Sequence, residues 1–265
     1  MDLGLSGKTA IITGATANIG RAIALDFASE GARLILVGRD EEAGAGVSEL
    51  ARERGAAEAR FLREDLLDEA APARIVEAAG EVDVLINNVG GNVGAGLFAG
   101  SDPATWQGDI DLNLSTVLRM THAVLPGMIE RRAGRIVNIG STAGIVGDYQ
   151  LAVYSAAKAA VHGFTKVLAK EVGQHGITVN AVAPYGTIAE DPAAFSSGSR
   201  FRTGFFQQAF AGSSDHDNAM RRRKGPLERQ LAKPEEVSAA VMWLASNRTD
   251  FVTGQVVTVD GGTLL

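Results

Sequence analysis

The chain has 265 residues, 46% of them hydrophobic, a net charge of −6 and no cysteine. Such a length can bury a substantial core in one large α/β domain or two small ones, and the acidic balance argues against a nucleic-acid partner. Disulfides, thiolate metal sites and a cysteine nucleophile are excluded. No apolar run reaches the roughly 18 residues of a membrane span, and no basic-then-apolar leader opens the chain, so no membrane partner and a cytoplasmic location are expected.

Short β-branched runs alternate with longer amphipathic ones. The first predicted strand, Thr9–Thr13, runs into Gly14-Ala15-Thr16-Ala17-Asn18-Ile19-Gly20 and then a helix over Arg21–Ser29. Small residues at a strand-to-helix turn let backbone approach a pyrophosphate closely, where the helix N-terminus offers free N–H groups. Asn18 stands where glycine is usual, and asparagine tolerates left-handed backbone better than most residues.

Strands follow at Leu34–Val37, ending Gly38-Arg39-Asp40, at Ala59–Leu62 before Asp65-Leu66, and at Val84–Ile86 before Asn87-Asn88-Val89-Gly90. A helix from near Ile110 to Arg132 carries Asn113, and the strand Arg135–Ile139 precedes Ser141. The helix Ala152–Lys170, the strand Thr178–Val182, the helix Pro234–Ser246 and the strand Val256–Val259 complete the pattern. Buried strands joined through helices imply a parallel sheet covered on both faces. Right-handed crossovers make it doubly wound. Neither linker nor repeat divides the chain, so one domain over 1–265 is expected.

The one irregular stretch, 185–226, holds Phe201, Phe205, Phe206 and Phe210, a polar run and the basic run Arg221–Lys224. So long a departure reads as a lid or binding segment. The basic run reads as solvated surface, with an anionic substrate tail as the alternative.

Tyr154 and Lys158 are four residues apart at the start of a predicted helix, so the phenol and ammonium share a face. A cation about 5 Å from a phenol, at an effective dielectric of about 20, favours the phenolate by roughly 3 kcal/mol, or about two pKa units. That spacing alone is weak.

Thr13-Gly14, Ile19-Gly20, Asn87-Asn88-Val89-Gly90, Asn113, Ser141, Tyr154 with Lys158, Pro184 and Val259-Asp260-Gly261-Gly262 occur in an order and spacing that resembles the short-chain dehydrogenases/reductases over essentially the whole chain. The resemblance implies a seven-stranded Rossmann fold, NAD(P)(H) across the carboxyl ends of the strands, a small carbonyl or alcohol substrate and a homotetramer. Its interfaces would use the helices Ile110–Arg132 and Ala152–Lys170, and the helix Pro234–Ser246 with the strand Val256–Val259. Tyr154 would be the acid/base and Ser141 the donor that polarises the substrate oxygen. Lys158 would lower the Tyr154 pKa and bind the nicotinamide ribose, and Asn113 would hold a relay water. Gly14, Thr16, Asn18, Ile19 and Gly20 would meet the pyrophosphate and its neighbours. Asp65 and Leu66 would meet adenine; Asn88, Val89 and Gly90 would lie by the adenosine ribose. Near the nicotinamide would come Pro184, Gly186, Thr187 and Ile188. Tyr185 is an extra residue after Pro184, and it leaves open which of Thr187 and Ile188 meets the pyrophosphate and which the carboxamide.

An NAD-preferring relative usually places an acid where Gly38 stands, so NADP(H) is favoured, with Arg39 pairing the 2′-phosphate. NAD(H) is the alternative, in which Asp40 turns back to the ribose. Gly91, Tyr149, Gln150 and Tyr185, together with Ser141, are expected around the substrate, and Asp148 could add polar selection. The four histidines lack metal-ligand spacing and none reads as catalytic. Glu41, Glu42, Glu235, Glu236 and Asp260 read as caps or first-turn charges. Two readings result: an NADP(H)-preferring ketone/alcohol oxidoreductase, with an NAD-dependent alcohol or sugar dehydrogenase as its near variant, and a non-catalytic dinucleotide-binding sensor or scaffold.

Overall fold

The computed structural model describes residues 2–195 and 204–265, without the side chains of Phe205 and Phe206; the expectation placed on Phe201 lies outside the described residues. In chain order the elements are β1 (Thr9–Thr13), α1 (Asn18–Ser29), β2 (Arg33–Gly38), α2 (Glu41–Glu53), β3 (Glu58–Arg63), α3 (Ala71–Ala79), β4 (Val84–Asn87), α4 (Pro103–Ile110) and α5 (Thr116–Arg131). They continue as β5 (Gly134–Ile139), α6 (Ala143–Val146), α7 (Ala152–Val172), β6 (Ile177–Pro184), α8 (Phe205–Ala209), α9 (Asp215–Arg221), α10 (Pro234–Ala245) and β7 (Val256–Val259). The strands form one parallel sheet of order β3-β2-β1-β4-β5-β6-β7. The expected α/β, doubly wound arrangement is present. Strand order reverses between β1 and β4, and that switch point is where a crevice opens at the carboxyl ends of the strands.

Alternation along the strands feeds two cores. Ile12 packs with Ile23, Phe27, Leu34, Leu36, Val241 and Leu244 on one face. Its neighbour Ile11 packs with Ile35, Ile75, Leu85, Met120, Met128 and Val179 on the other. Each such side chain contributes roughly 1.5–3 kcal/mol when fully buried. A buried polar chain crosses the second layer: Asn87 Nδ2 donates to Thr121 Oγ1 (3.0 Å) and Asn138 Oδ1 (2.9 Å), and Asn138 Nδ2 donates to Thr165 Oγ1 (2.9 Å). It ties β4 and β5 to α5 and α7.

Strand bounds extend the sequence reading by a residue or two, as element ends usually do. One helix start differs more. Helical structure begins at Pro103, not near Ile110, with Asp102 accepting from Ala104 N (2.9 Å) as its N-cap and proline at the first position. Gly108 and the buried Asp109 break the apolar stripe, which is why the pattern hides this start. Asp111–Ser115 then forms a single π turn, closed by Thr116 N–H to the Asp111 carbonyl, and Asn113 sits inside it. Such turns are frequent at functional sites.

Candidate active site

A cleft of about 710 Å³ lies over the switch point, lined by the β1–α1 turn, the ends of β2 and β4, Ser141, Tyr154, Lys158 and the residues after β6. Its floor at one end is backbone. Gly14 has φ +64°, and a Cβ on Gly20 would stand 2.1 Å from the Gly14 carbonyl oxygen, so the turn closes only with glycine there. Asn18 takes φ +44°, the left-handed value its side chain permits. The N-cap Ala17 supplies no side-chain cap and the first turn of α1 has no acid, so this helix start can receive an anion. Asn18 Nδ2 donates to the Thr187 carbonyl (3.2 Å), while its Oδ1 is buried without a partner among the described residues. Thr13 Oγ1 accepts from the backbone of Asn88 (2.8 Å) and Val89 (3.1 Å), and Asn88 Nδ2 reaches the Thr13 and Gly14 carbonyls. A narrow glycine-lined turn, an open helix start and an orphaned acceptor fit a dinucleotide.

At the far end of that half, Gly38 sits tightly packed: a Cβ would lie 2.9 Å from Thr16 Cγ2, which would have to shift. Asp40 caps α2 by accepting from Ala43 N (3.1 Å). Arg39 and Asp65 reach into the same mouth and face each other at 3.7 Å, both substantially exposed. Leu66 is buried and lines the cleft.

The other half carries the ionisable groups. Tyr154 and Lys158 lie one turn apart on α7, with Lys158 Nζ 5.9 Å from the centre of the Tyr154 ring. Lys158 Nζ donates to the Ile139 carbonyl (2.8 Å), and burial pulls its pKa down to about 8. Ser141 Oγ accepts from Ala143 N (3.1 Å), which leaves its proton to be donated elsewhere. Gly90 is the floor beneath the ammonium: a Cβ there would meet Lys158 Nζ at 2.8 Å and Asn113 Oδ1 at 2.9 Å. Asn113 does not line the cleft. It stands behind, where Oδ1 accepts from Gly91 N (2.9 Å) and Nδ2 donates to the Gly91 and Asp109 carbonyls (2.9 Å each).

Of the other residues expected here, Thr187 and Tyr185 line the cleft, and Gly186 and Ile188 are not among its lining residues. Thr187 and Ile188 also hold the chain beside Ala232, by a bridge and by Ile188 N–H to the Ala232 carbonyl (3.1 Å). Tyr149 and Gln150 face the lid: Tyr149 donates to Asp217 (2.9 Å) and the Gln150 amide oxygen accepts from Arg221. The basic run is thus only half solvated. Arg222 and Lys224 are exposed, whereas Arg221 and Arg223 turn inward.

Sequence reasoning missed the roles of three residues. Asp109 is buried and accepts from Val93 N (2.8 Å) and Gly94 N (3.1 Å), fixing the loop beyond Gly91; its place four residues before Asn113 was the available signal. Thr13 ties two strand ends by its hydroxyl. His162, one turn beyond Lys158, packs under Gly140 and Gly144 and receives the Ser141 N–H at 3.5 Å. Burial, then the Lys158 charge, push its pKa down to about 4, and a hydrogen bond to the Gly144 backbone opposes them.

Residues 8–194 match the family model described as short chain dehydrogenase. The chain is 35% identical over 260 residues to the 3-oxoacyl-[acyl-carrier-protein] reductase FabG of Vibrio harveyi, covering 98% of each, and 36% identical over 264 residues to that of Escherichia coli K12, again 98% of each. Among solved structures it is similar to a 3-oxoacyl-[acyl-carrier protein] reductase with bound NAD from Brucella melitensis, at TM-score 0.81 and 31% identity, over 97% of this chain and 91% of that one. The chain belongs to the short-chain dehydrogenase family. It is an oxidoreductase acting on a carbonyl or an alcohol, in a family that uses NAD(P)(H).

Proposed function

We propose that the chain is an NADP(H)-preferring reductase interconverting a ketone and a secondary alcohol, built as one domain over 1–265 with a lid at 185–226. A bound nicotinamide dinucleotide supplies or accepts the hydride. Tyr154 gives or takes the alcohol proton, Ser141 donates to the reacting oxygen, and Lys158 stabilises the phenolate. The observation that carries this is the convergence of Tyr154, Lys158 and Ser141 at one end of a cleft whose other end is the glycine turn of α1. Asn113 holds the Gly90–Gly91 floor. Both its amide hydrogens are engaged, so a relay water would use the remaining lone pair of Oδ1.

Phosphate preference rests on the β2 end. Gly38 offers no acid to the ribose, Asp40 is engaged as a cap, and the Arg39 guanidinium stands at the cleft mouth. In favour of NAD(H) is the approach of Arg39 to Asp65, which occupies part of that guanidinium. The proposed setting is cytoplasmic, and no described helix is long and apolar enough to cross a membrane. A homotetramer is proposed too, supported by outward apolar residues on the expected helices: Leu118 on α5, Val167 on α7 and Trp243 on α10. Light scattering tests the assembly. For the reaction, a panel of ketones and alcohols is assayed with both cofactors, beside Tyr154→Phe. That variant should lose about a hundredfold or more in kcat, and undiminished turnover would refute the assignment.

A further inference from the structure

The inward-facing arginines Arg221, which ends α9, and Arg223 differ in what they leave free. Arg221 is taken up by Gln150, by Asn218 Oδ1 (2.8 Å) and by the face of Phe210, 4.4 Å away. Arg223 Nη2 donates to Asp148 and to Thr142 Oγ1 (3.3 Å), and its guanidinium carbon lies 4.7 Å from the Tyr185 ring centre. Its side chain is 17% exposed, and Nη1 is buried with no hydrogen-bond partner among the described residues. A buried guanidinium N–H without an acceptor is a disfavoured state that an arriving oxygen would relieve.

Two contacts set this donor against the wall at the substrate end of the cleft, although Arg223 is not itself among the residues that line it. Thr142 follows Ser141 directly in the chain, and Tyr185 is itself a wall of the cleft. A third contact sets what it can select. Asp148 offsets the guanidinium charge, so a carboxylate coming to Nη1 would meet a paired cation and a neighbouring anion. An uncharged carbonyl oxygen meets only the unused N–H.

We propose, on top of the reductase reading, that Arg223 is a specificity-determining residue that donates to a second, uncharged acceptor oxygen a few bonds from the reacting ketone. Three probes separate the chemistry: ethyl 3-oxobutanoate carries such an oxygen, 2-heptanone has the same chain length without it, and 3-oxobutanoate carries a carboxylate. With the purified full-length chain, Arg223→Met should lower the ratio of kcat/KM for the ester over 2-heptanone by about tenfold or more, as loss of a hydrogen bond from a charged donor predicts. Asp148→Asn, which leaves the cation uncompensated, should raise kcat/KM for the carboxylate relative to the ester. A ratio unmoved in Arg223→Met overturns the inference, since it would mean a merely structural role. So does a wild-type preference for the carboxylate that Arg223→Met abolishes, which would mean recognition of charge. Wild type turning over no ketone with either cofactor overturns the reductase reading and this inference together, whereas the preceding two outcomes leave the former standing.

Discussion

The Ser141 N–H points at Nε2 of His162 across 3.5 Å, so the residue proposed to polarise the substrate is tied to the helix proposed to protonate it. His162 stands one turn past Lys158 and two past Tyr154. Its ring fills the space where Gly140 and Gly144 lack side chains: Cβ atoms there would come within 2.2 and 2.9 Å of it. His162 is therefore expected to act by positioning Ser141. His162→Leu keeps the bulk and removes the acceptor; kcat should fall about tenfold through misplacement of Ser141, with the cofactor KM little changed and partial recovery in His162→Gln. Equal loss in kcat and cofactor affinity would argue for general disruption.

The same ring makes stability depend on acid. At neutral pH it is uncharged in folded and unfolded chains alike. As pH falls, the unfolded chain takes the proton first, near the ordinary value of 6.5, and the folded ring only near 4, so stability is lost across that window. Between these limits the melting temperature of wild type should fall more than that of His162→Leu, by on the order of 5 °C. Parallel melting curves would show that the ring is not held neutral.

Lys158 gives a second window of the same sign, on the alkaline side. Its pKa of about 8 against an ordinary 10.5 means that burial costs stability while the ammonium is charged, and that the unfolded chain holds the proton longer between these values. The cost is therefore relieved as pH rises from about 8 to 10.5. The melting temperature of Lys158→Met relative to wild type should be most favourable below pH 8 and lose that advantage by 10.5. Ketone-reduction kcat/KM in wild type should decline above about pH 8, because the ammonium that supports Tyr154 is then lost. A flat profile to pH 10 would contradict this.

Gly90 offers a test of the floor. In Gly90→Ala the methyl would press on Lys158 Nζ and Asn113 Oδ1 together, and neither can retreat without giving up its bond to Ile139 or Gly91. We expect kcat/KM to drop about tenfold or more, in a protein whose circular dichroism spectrum is preserved. Wild-type kinetics in that variant would show that the floor has slack.

Cofactor choice is tested at Arg39. Arg39→Ala should lower the ratio of kcat/KM for NADPH over NADH by about tenfold or more, as loss of a charge-assisted phosphate contact predicts. An unmoved ratio, or wild type favouring NADH, would assign Arg39 to its partner Asp65 alone.

The inner strands were legible because they are short, mostly β-branched runs that the sheet buries, as in Thr9–Thr13, Val84–Asn87 and Ile177–Pro184, so pattern and burial coincide there. Tyr154 with Lys158, and the Thr13–Gly20 turn, could be read because their chemistry depends on near neighbours in the chain. Less local features were hidden. Nothing in linear order says that Gly140 and Gly144 lie over His162, or that Arg223 meets Asp148 across a separation of 75 residues. The start of α4 was masked because its inward residue is a polar one, Asp109, used to hold a loop instead of filling a core.

The π turn at Asp111–Ser115 has a consequence for what lengths of chain this scaffold tolerates. One residue beyond the α-helical count shifts the phase between α4 and α5. Asp109 can therefore face the 91–94 loop while Met120, Val124 and Met128 face the sheet. Removing any single residue from the turn would restore an even helix and rotate one half against the other by about 100°. Either the loop anchor or the core stripe would then point the wrong way, so indels here should be far less forgiving than point changes.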